Sequence, residues 1–231
     1  MLLRRSVVIC ALLGALALGW LRWRKVSSNG QAVETARPII VKQPATLATR
    51  TFDPGNPPDD MPPLALGENA ACDSNFISNA NVAGEAQPTD ATHATVTVTQ
   101  ITVTLQLNMT IWLPAGATQH VIDHERGHRQ ISEYYYQTAD KLAERIAAAY
   151  MGKQIAITGT DLRAELSSGL QQMGNEITDE YNKELNPEPT QLHYDAITDH
   201  SRNQVAAQDA VAQVLKDVTV ASAQPAANPG N

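Results

Sequence analysis

The stretch that decides the fold runs from Gln119 to Tyr150 and reads QHVIDHERGHRQISEYYYQTADKLAERIAAAY. Within it Val121, His124, His128, Ile131, Tyr135, Thr138, Leu142, Ile146 and Ala149 recur at steps of three or four. That is the stripe of a helix that turns one face to a core. Thr118 stands where an N-cap belongs and Gly152 where a helix stops, so the pattern predicts a single helix of about 32 residues, roughly 48 Å if unbroken. Such a length is unusual in a small domain and invites a kink.

Two histidines of the stripe, His124 and His128, enclose Glu125 in the order HExxH. Residues i and i+4 of a helix lie one above the other, so both imidazoles reach one cation from the same face, with Glu125 beside them as a general base. This is the pattern of a Zn2+ hydrolase site, in which the metal lowers the pKa of a water to about 7 and polarises a carbonyl. The plainer reading is a helix that buries two hydrogen-bonded histidines. Burial itself demands partners, because each unsatisfied polar group costs about 1 to 3 kcal/mol.

A catalytic zinc takes three protein ligands, so one more must come from elsewhere. The metzincin extension fails, since Ile131 replaces its glycine and Tyr134 occupies its ligand position. Glu176, in Asn175-Glu176-Ile177-Thr178-Asp179, resembles the NExxSD stretch of thermolysin-like enzymes, but lies about 100° around its helix from the apolar stripe of Leu166, Met173 and Ile177. His200 closes the block Tyr194-Asp195-Ala196-Ile197-Thr198-Asp199-His200 and shares a helical stripe with His193, Ile197, Gln204 and Val211. The residues alone leave these candidates open, with Asp195 beside them.

The chain of 231 residues has room for one catalytic domain with appendages. Its net charge of -7 and the lack of a basic stripe beyond the N-terminus argue against nucleic acid as a partner. Cys10 and Cys72 cannot form a disulfide within the domain, because Cys10 sits in the apolar run Val7 to Leu21. That run, flanked by Arg4, Arg5, Arg22, Arg24 and Lys25, has the layout of an export signal or membrane anchor over residues 1–25. Residues 26–71, with Pro54, Pro57, Pro58, Pro62 and Pro63, read as a flexible spacer. The folded domain is expected over 72–220, and a disordered tail over 221–231.

Within the domain, residues 93–99 and 101–113 alternate apolar with polar side chains, and the phase changes at Gln100, as a bulge or turn in a strand pair would require. The segment from Ile101 to Leu113 is expected to be an edge strand able to pair with an extended peptide. A second helix is expected from Asp161 to about Leu185, capped by Thr158 or Thr160, and a third from Thr190 to about Asp217.

HERGH followed about seventy residues later by Gln191, Tyr194-Asp195, Thr198 and His200 resembles a bacterial family of predicted secreted zinc-dependent proteases. The resemblance covers roughly Cys72 to Lys216. It implies His200 as third zinc ligand, with Asp195 or Tyr194 orienting it or donating to the transition state. Ser201 stands where that family commonly has glycine.

Together these readings predict an α+β, zincin-like fold, a small antiparallel sheet packed on long helices. They predict a zinc metallopeptidase of the cell envelope, exported to the periplasm or anchored to the cytoplasmic membrane. The expected ligands are His124, His128 and His200, with Glu125 as base, Tyr194 as oxyanion donor and a peptide or protein as substrate. The competing expectation is an envelope-tethered protein with a closed structural zinc site completed by Asp195 or Glu176. Hydrolysis of a non-peptide amide, such as a cell-wall link, is a third.

Overall fold

The computed structural model describes residues 37–64 and 67–223. In chain order they form β1 (Ile39–Lys42), β2 (Thr46–Phe52), β3 (Ala71–Pro88) and β4 (His93–Pro114), then α1 (Gln119–Gln137) and α2 (Ala139–Ala148). β5 (Gln154–Thr158), α3 (Leu162–Glu184), α4 (Glu188–Thr198) and α5 (Ala207–Ala223) follow.

β4 is the spine of the sheet. β3 pairs antiparallel along one edge, while β5, β1 and β2 lie end to end along the other, opposite residues 93–97, 102–105 and 108–114. β5 is antiparallel to β4, but β1 and β2 are parallel to it. The sheet is therefore mixed, which overturns the expected small antiparallel, zincin-like sheet. The physical reason lies before the predicted domain. The stretch expected to be spacer supplies β1 and β2, which precede the β3–β4 hairpin and run in the direction of β4. Nor is the segment 101–113 an edge strand, because both of its edges are paired.

The phase change near Gln100 is a bulge. Ala83 pairs with Gln100 and Gly84 with Val98, which leaves Thr99 as the extra residue. The insertion brings Val96 and Val98 onto the same face as Ile101, Val103, Leu105, Leu107 and Met109, all of them buried. The opposite face carries Thr102, Thr104, Gln106, Asn108 and Thr110, none of them buried. Such alternation suits a sheet covered on one face. Here the cover is α2 and α3, through Ala143, Ile146, Ala147, Met173, Ile177 and Tyr181.

The predicted long helix is two. It starts as expected, with Thr118 Oγ1 accepting from the Val121 amide at 3.4 Å, but breaks at Thr138. Lys42 of β1 stands at the break, donating to the Gln137 carbonyl at 2.8 Å and to Asp140 Oδ1 at 2.9 Å. It takes up a carbonyl that the helix leaves without a partner. α3 is capped by Asp161 itself, which accepts from the amides of Arg163 and Ala164 at 3.1 Å, rather than by Thr158 or Thr160.

The third predicted helix is also divided. α4 opens with Pro189 in its first turn, and ends at three consecutive left-handed residues, Asp199, His200 and Ser201, with φ of 47, 51 and 63°. His200 consequently leaves the helical stripe and sits in a turn. The segment 1–25 and the residues beyond 223 lie outside the described residues. Among the described residues no helix is long and apolar enough to cross a membrane.

Candidate metal centre

α1 and α4 bring the two sequence blocks together. Gln191, Tyr194, Asp195 and Thr198 recur at three, four and seven residues along α4, so they share the face that meets α1. Tyr194, Asp195 and Thr198 are buried, as are His124 and Glu125.

Gly127 is what allows the close approach. A Cβ at that position would lie 2.2 Å from the Tyr194 hydroxyl, so an added methyl would force Tyr194 or the helix to shift. In the space it leaves, Tyr194 donates to the His124 carbonyl at 3.0 Å and stacks on the His124 ring, centroid to centroid 5.0 Å. Burial pushes its phenol above the ordinary range. Tyr194 thus braces the helix behind the histidines, and its hydroxyl is already engaged rather than presented to a substrate.

Around His128 the hydrogen bonds fix a tautomer. Gln191 Nε2 points at two acceptors, the His128 carbonyl at 3.1 Å and Ser132 Oγ at 3.0 Å. Its Oε1 must therefore be the atom 2.7 Å from His128 Nδ1, so Nδ1 carries the proton and donates. In the neutral ring this leaves the Nε2 lone pair on the other side, the arrangement that readies a histidine to ligate.

His128 Nε2 faces His124 Nε2 at 3.2 Å and Asp195 Oδ1 at 2.9 Å. His124 Nε2 lies 3.4 Å from the same carboxylate oxygen. Lone pairs brought this close need a cation or a proton among them. The three atoms span a triangle close in size to the edges of a tetrahedral zinc site, about 3.3 Å for ligands near 2.0 Å. Asp195 Oδ1 is buried without a hydrogen-bond donor of ordinary geometry. His124, His128 and Asp195 together could hold a metal ion.

The structure thus unites His124 and His128 as expected, and sets Asp195 beside them rather than His200. His200 stands one step further out, its Nδ1 3.8 Å from Asp195 Oδ1 and 3.3 Å from Glu68 Oε1. Glu176 is exposed on α3 and accepts from Gln172. Ser201 adopts the left-handed geometry that glycine favours, with φ of 63°, so the turn forms there without one. Sequence reasoning assigned no role to Glu68 or Gly127. The glycine inside HERGH was the one readable sign of a close packing partner.

The electrostatics follow from burial and neighbours. Burial pulls the His124 imidazole below its usual range. For His128 burial acts the same way, but the Asp195 carboxylate outweighs it and raises the value. Burial would lift Asp195, yet its contacts with His124 and His128 hold the carboxyl well below the carboxylate range. Glu125 moves the other way: burial, reinforced by Glu68 and Asp195 against the pull of His128, pushes it up to about 7. A base with that value suits proton transfer near neutral pH.

Glu125 and His128 open onto a cavity of about 320 Å³, walled by Ala71, Cys72, Ser74 and Phe76 of β3 and by Pro187 and Gln191. The Cys72 thiol is pushed up to about 12, chiefly by burial, so it lines the wall as a neutral group. β3 has no strand on its outer edge among the described residues.

Compared with protein-family models, curated proteins and solved structures, the chain finds no match in any of the three.

Proposed function

We propose that the protein is a metal-dependent hydrolase of peptide bonds, with zinc held by His124, His128 and Asp195. The observation that carries this reading is the pairing of an imidazole–imidazole–carboxylate donor triangle with a buried glutamate, Glu125, on one cavity. Two nitrogens and one oxygen are a donor set suited to zinc, and the bound metal would supply Lewis-acid polarisation and a more acidic water.

The protein's own groups supply the rest. Glu125, with its value near neutrality, accepts a proton from the attacking water and returns it to the leaving amine. Gln191 keeps the His128 proton on Nδ1, and Tyr194 holds His124 from behind. The strand-free edge at the start of β3, whose residues line the cavity, can take an extended peptide as an added strand. This role passes to β3 from the segment 101–113, which has no free edge. An exported or membrane-anchored protein with a peptide or protein substrate agrees with the charge pattern of residues 1–25.

The test is metal content and peptidase activity measured on the same preparations. The wild type is expected to bind zinc and cleave peptides. Glu125→Gln should retain the metal and lose cleavage, whereas Asp195→Ala should lose the metal. A wild type that binds no zinc, or a Glu125→Gln variant as active as wild type, would refute the proposal.

A further inference from the structure

Asp195 Oδ1 faces three imidazoles, not two. Beyond His128 and His124, the His200 Nδ1 stands 3.8 Å away. His200 does not join the His124, His128 and Asp195 group. It forms a second one with Glu68 and Asp195, whose ligand atoms all lie within 4.8 Å of one another.

Two observations mark this second group as more than an acidic corner. Asp195 is only 8 % exposed, and its Oδ1 and the His200 Nδ1 are both buried atoms without a hydrogen-bond partner. Polar atoms of that kind call for a ligand, a water or an ion. The group is also held in place from both sides. The turn that carries His200 is closed by its own amide donating to the Asp195 carbonyl at 3.2 Å. Arg202 then braces the turn, donating to the Asp199 carbonyl at 3.0 Å and to Asp199 Oδ1 at 2.6 Å. The same guanidinium packs over Gly67, next to Glu68, where an added Cβ would lie 3.0 Å from it.

We propose that Glu68, Asp195 and His200 form a second divalent-cation site, which shares the Asp195 carboxylate with the first and makes the fully loaded centre dinuclear. The proposal rests on the metal reading of the first site. A carboxylate has two oxygens and about four lone pairs, enough to serve two cations. Charge also favours the pair: Glu68, Glu125 and Asp195 offset three of the four positive charges that two dications bring. Two carboxylate oxygens with one imidazole nitrogen suit Zn2+ or Mn2+. The Glu68 and His200 side chains are 21 % and 27 % exposed, against 4 % and 13 % for His124 and His128, so the second cation is nearer solvent and is the first to leave.

The experiment is equilibrium dialysis of metal-free protein against Zn2+ and, separately, Mn2+, with bound metal counted by elemental analysis and the manganese form followed by electron paramagnetic resonance. Two equivalents are expected, the second bound more weakly, with an exchange-coupled manganese spectrum at full loading. Glu68→Gln and His200→Ala should each leave one equivalent and an uncoupled spectrum. Unchanged circular dichroism would show that these variants fold. One equivalent in the wild type, unaffected by either substitution, overturns the second site and leaves the first standing. One equivalent that is lost in His200→Ala overturns it too, by making His200 a ligand of the first cation. No metal bound at all removes the first site, and the second with it.

Discussion

Replacing Glu125 by glutamine in the metal-free protein should make the fold more resistant to alkaline pH. The buried carboxyl is lifted from its ordinary 4.5 to about 7, so the folded state holds its proton more tightly than the unfolded chain. Stability from this group is therefore intact below pH 4.5 and falls as pH rises towards 7. Above 7 the loss levels off. At 1.36 kcal/mol per tenfold change in proton affinity, the full loss is about 3 kcal/mol. Glutamine cannot ionise and does not incur it. Urea unfolding in the presence of chelator, at pH 5 and pH 8.5, measures the effect. The variant should gain about 2.5 kcal/mol on wild type between the two pH values, since part of the loss is already incurred at pH 5, and added zinc should narrow the gap, because a nearby cation favours the ionised carboxylate. Parallel stability curves for the two proteins would refute the argument, since they would mean that Glu125 titrates alike in the folded and unfolded chain.

Gly127→Ala drives a methyl group into the Tyr194 hydroxyl, so it should cost about 1 to 3 kcal/mol in thermal or urea unfolding, and quench the stacking of Tyr194 on His124 as seen in near-ultraviolet circular dichroism. Gln191→Leu removes the acceptor that holds the His128 proton on Nδ1. Zinc affinity, measured by competition with a chromophoric chelator, should fall about 10- to 100-fold while the fold persists.

Local signals proved readable where the sequence carries its own punctuation. The phase change at Gln100 announced the bulge at Thr99, Thr118 announced the start of α1, and HExxH announced the facing imidazoles. What escaped was fixed by distant partners. β1 and β2 stand in a proline-rich context and are strands because β4 offers them hydrogen bonds, a long-range effect that local propensity does not record. At the break at Thr138 the exposed carbonyl is taken up by Lys42, far away in the chain. The division of α4 from α5 uses three left-handed residues without glycine or proline to mark it, and this is why His200 was placed on a helical stripe. Asp195 came forward for a related reason. Once α4 begins at Glu188, its buried face passes through Gln191, Tyr194, Asp195 and Thr198, and only then does the carboxylate, rather than the histidine beyond it, meet the α1 imidazoles.

Among the secondary-structure elements α4 and α5 pack only on α1, and with Ile131 of that helix they form a small apolar cluster around Tyr194, Val211 and Val214. The sheet and its cover of α2 and α3 form a separate cluster. The donor triangle straddles the seam between α1, which also packs on the sheet, and α4, with His124 and His128 on the first and Asp195 on the second. A cation bound there would be a clasp across the seam. Without it the C-terminal pair can detach in a local opening that costs less than global unfolding, dismantling the centre while the sheet stays folded, so that loss of the site and loss of the fold become two separate events.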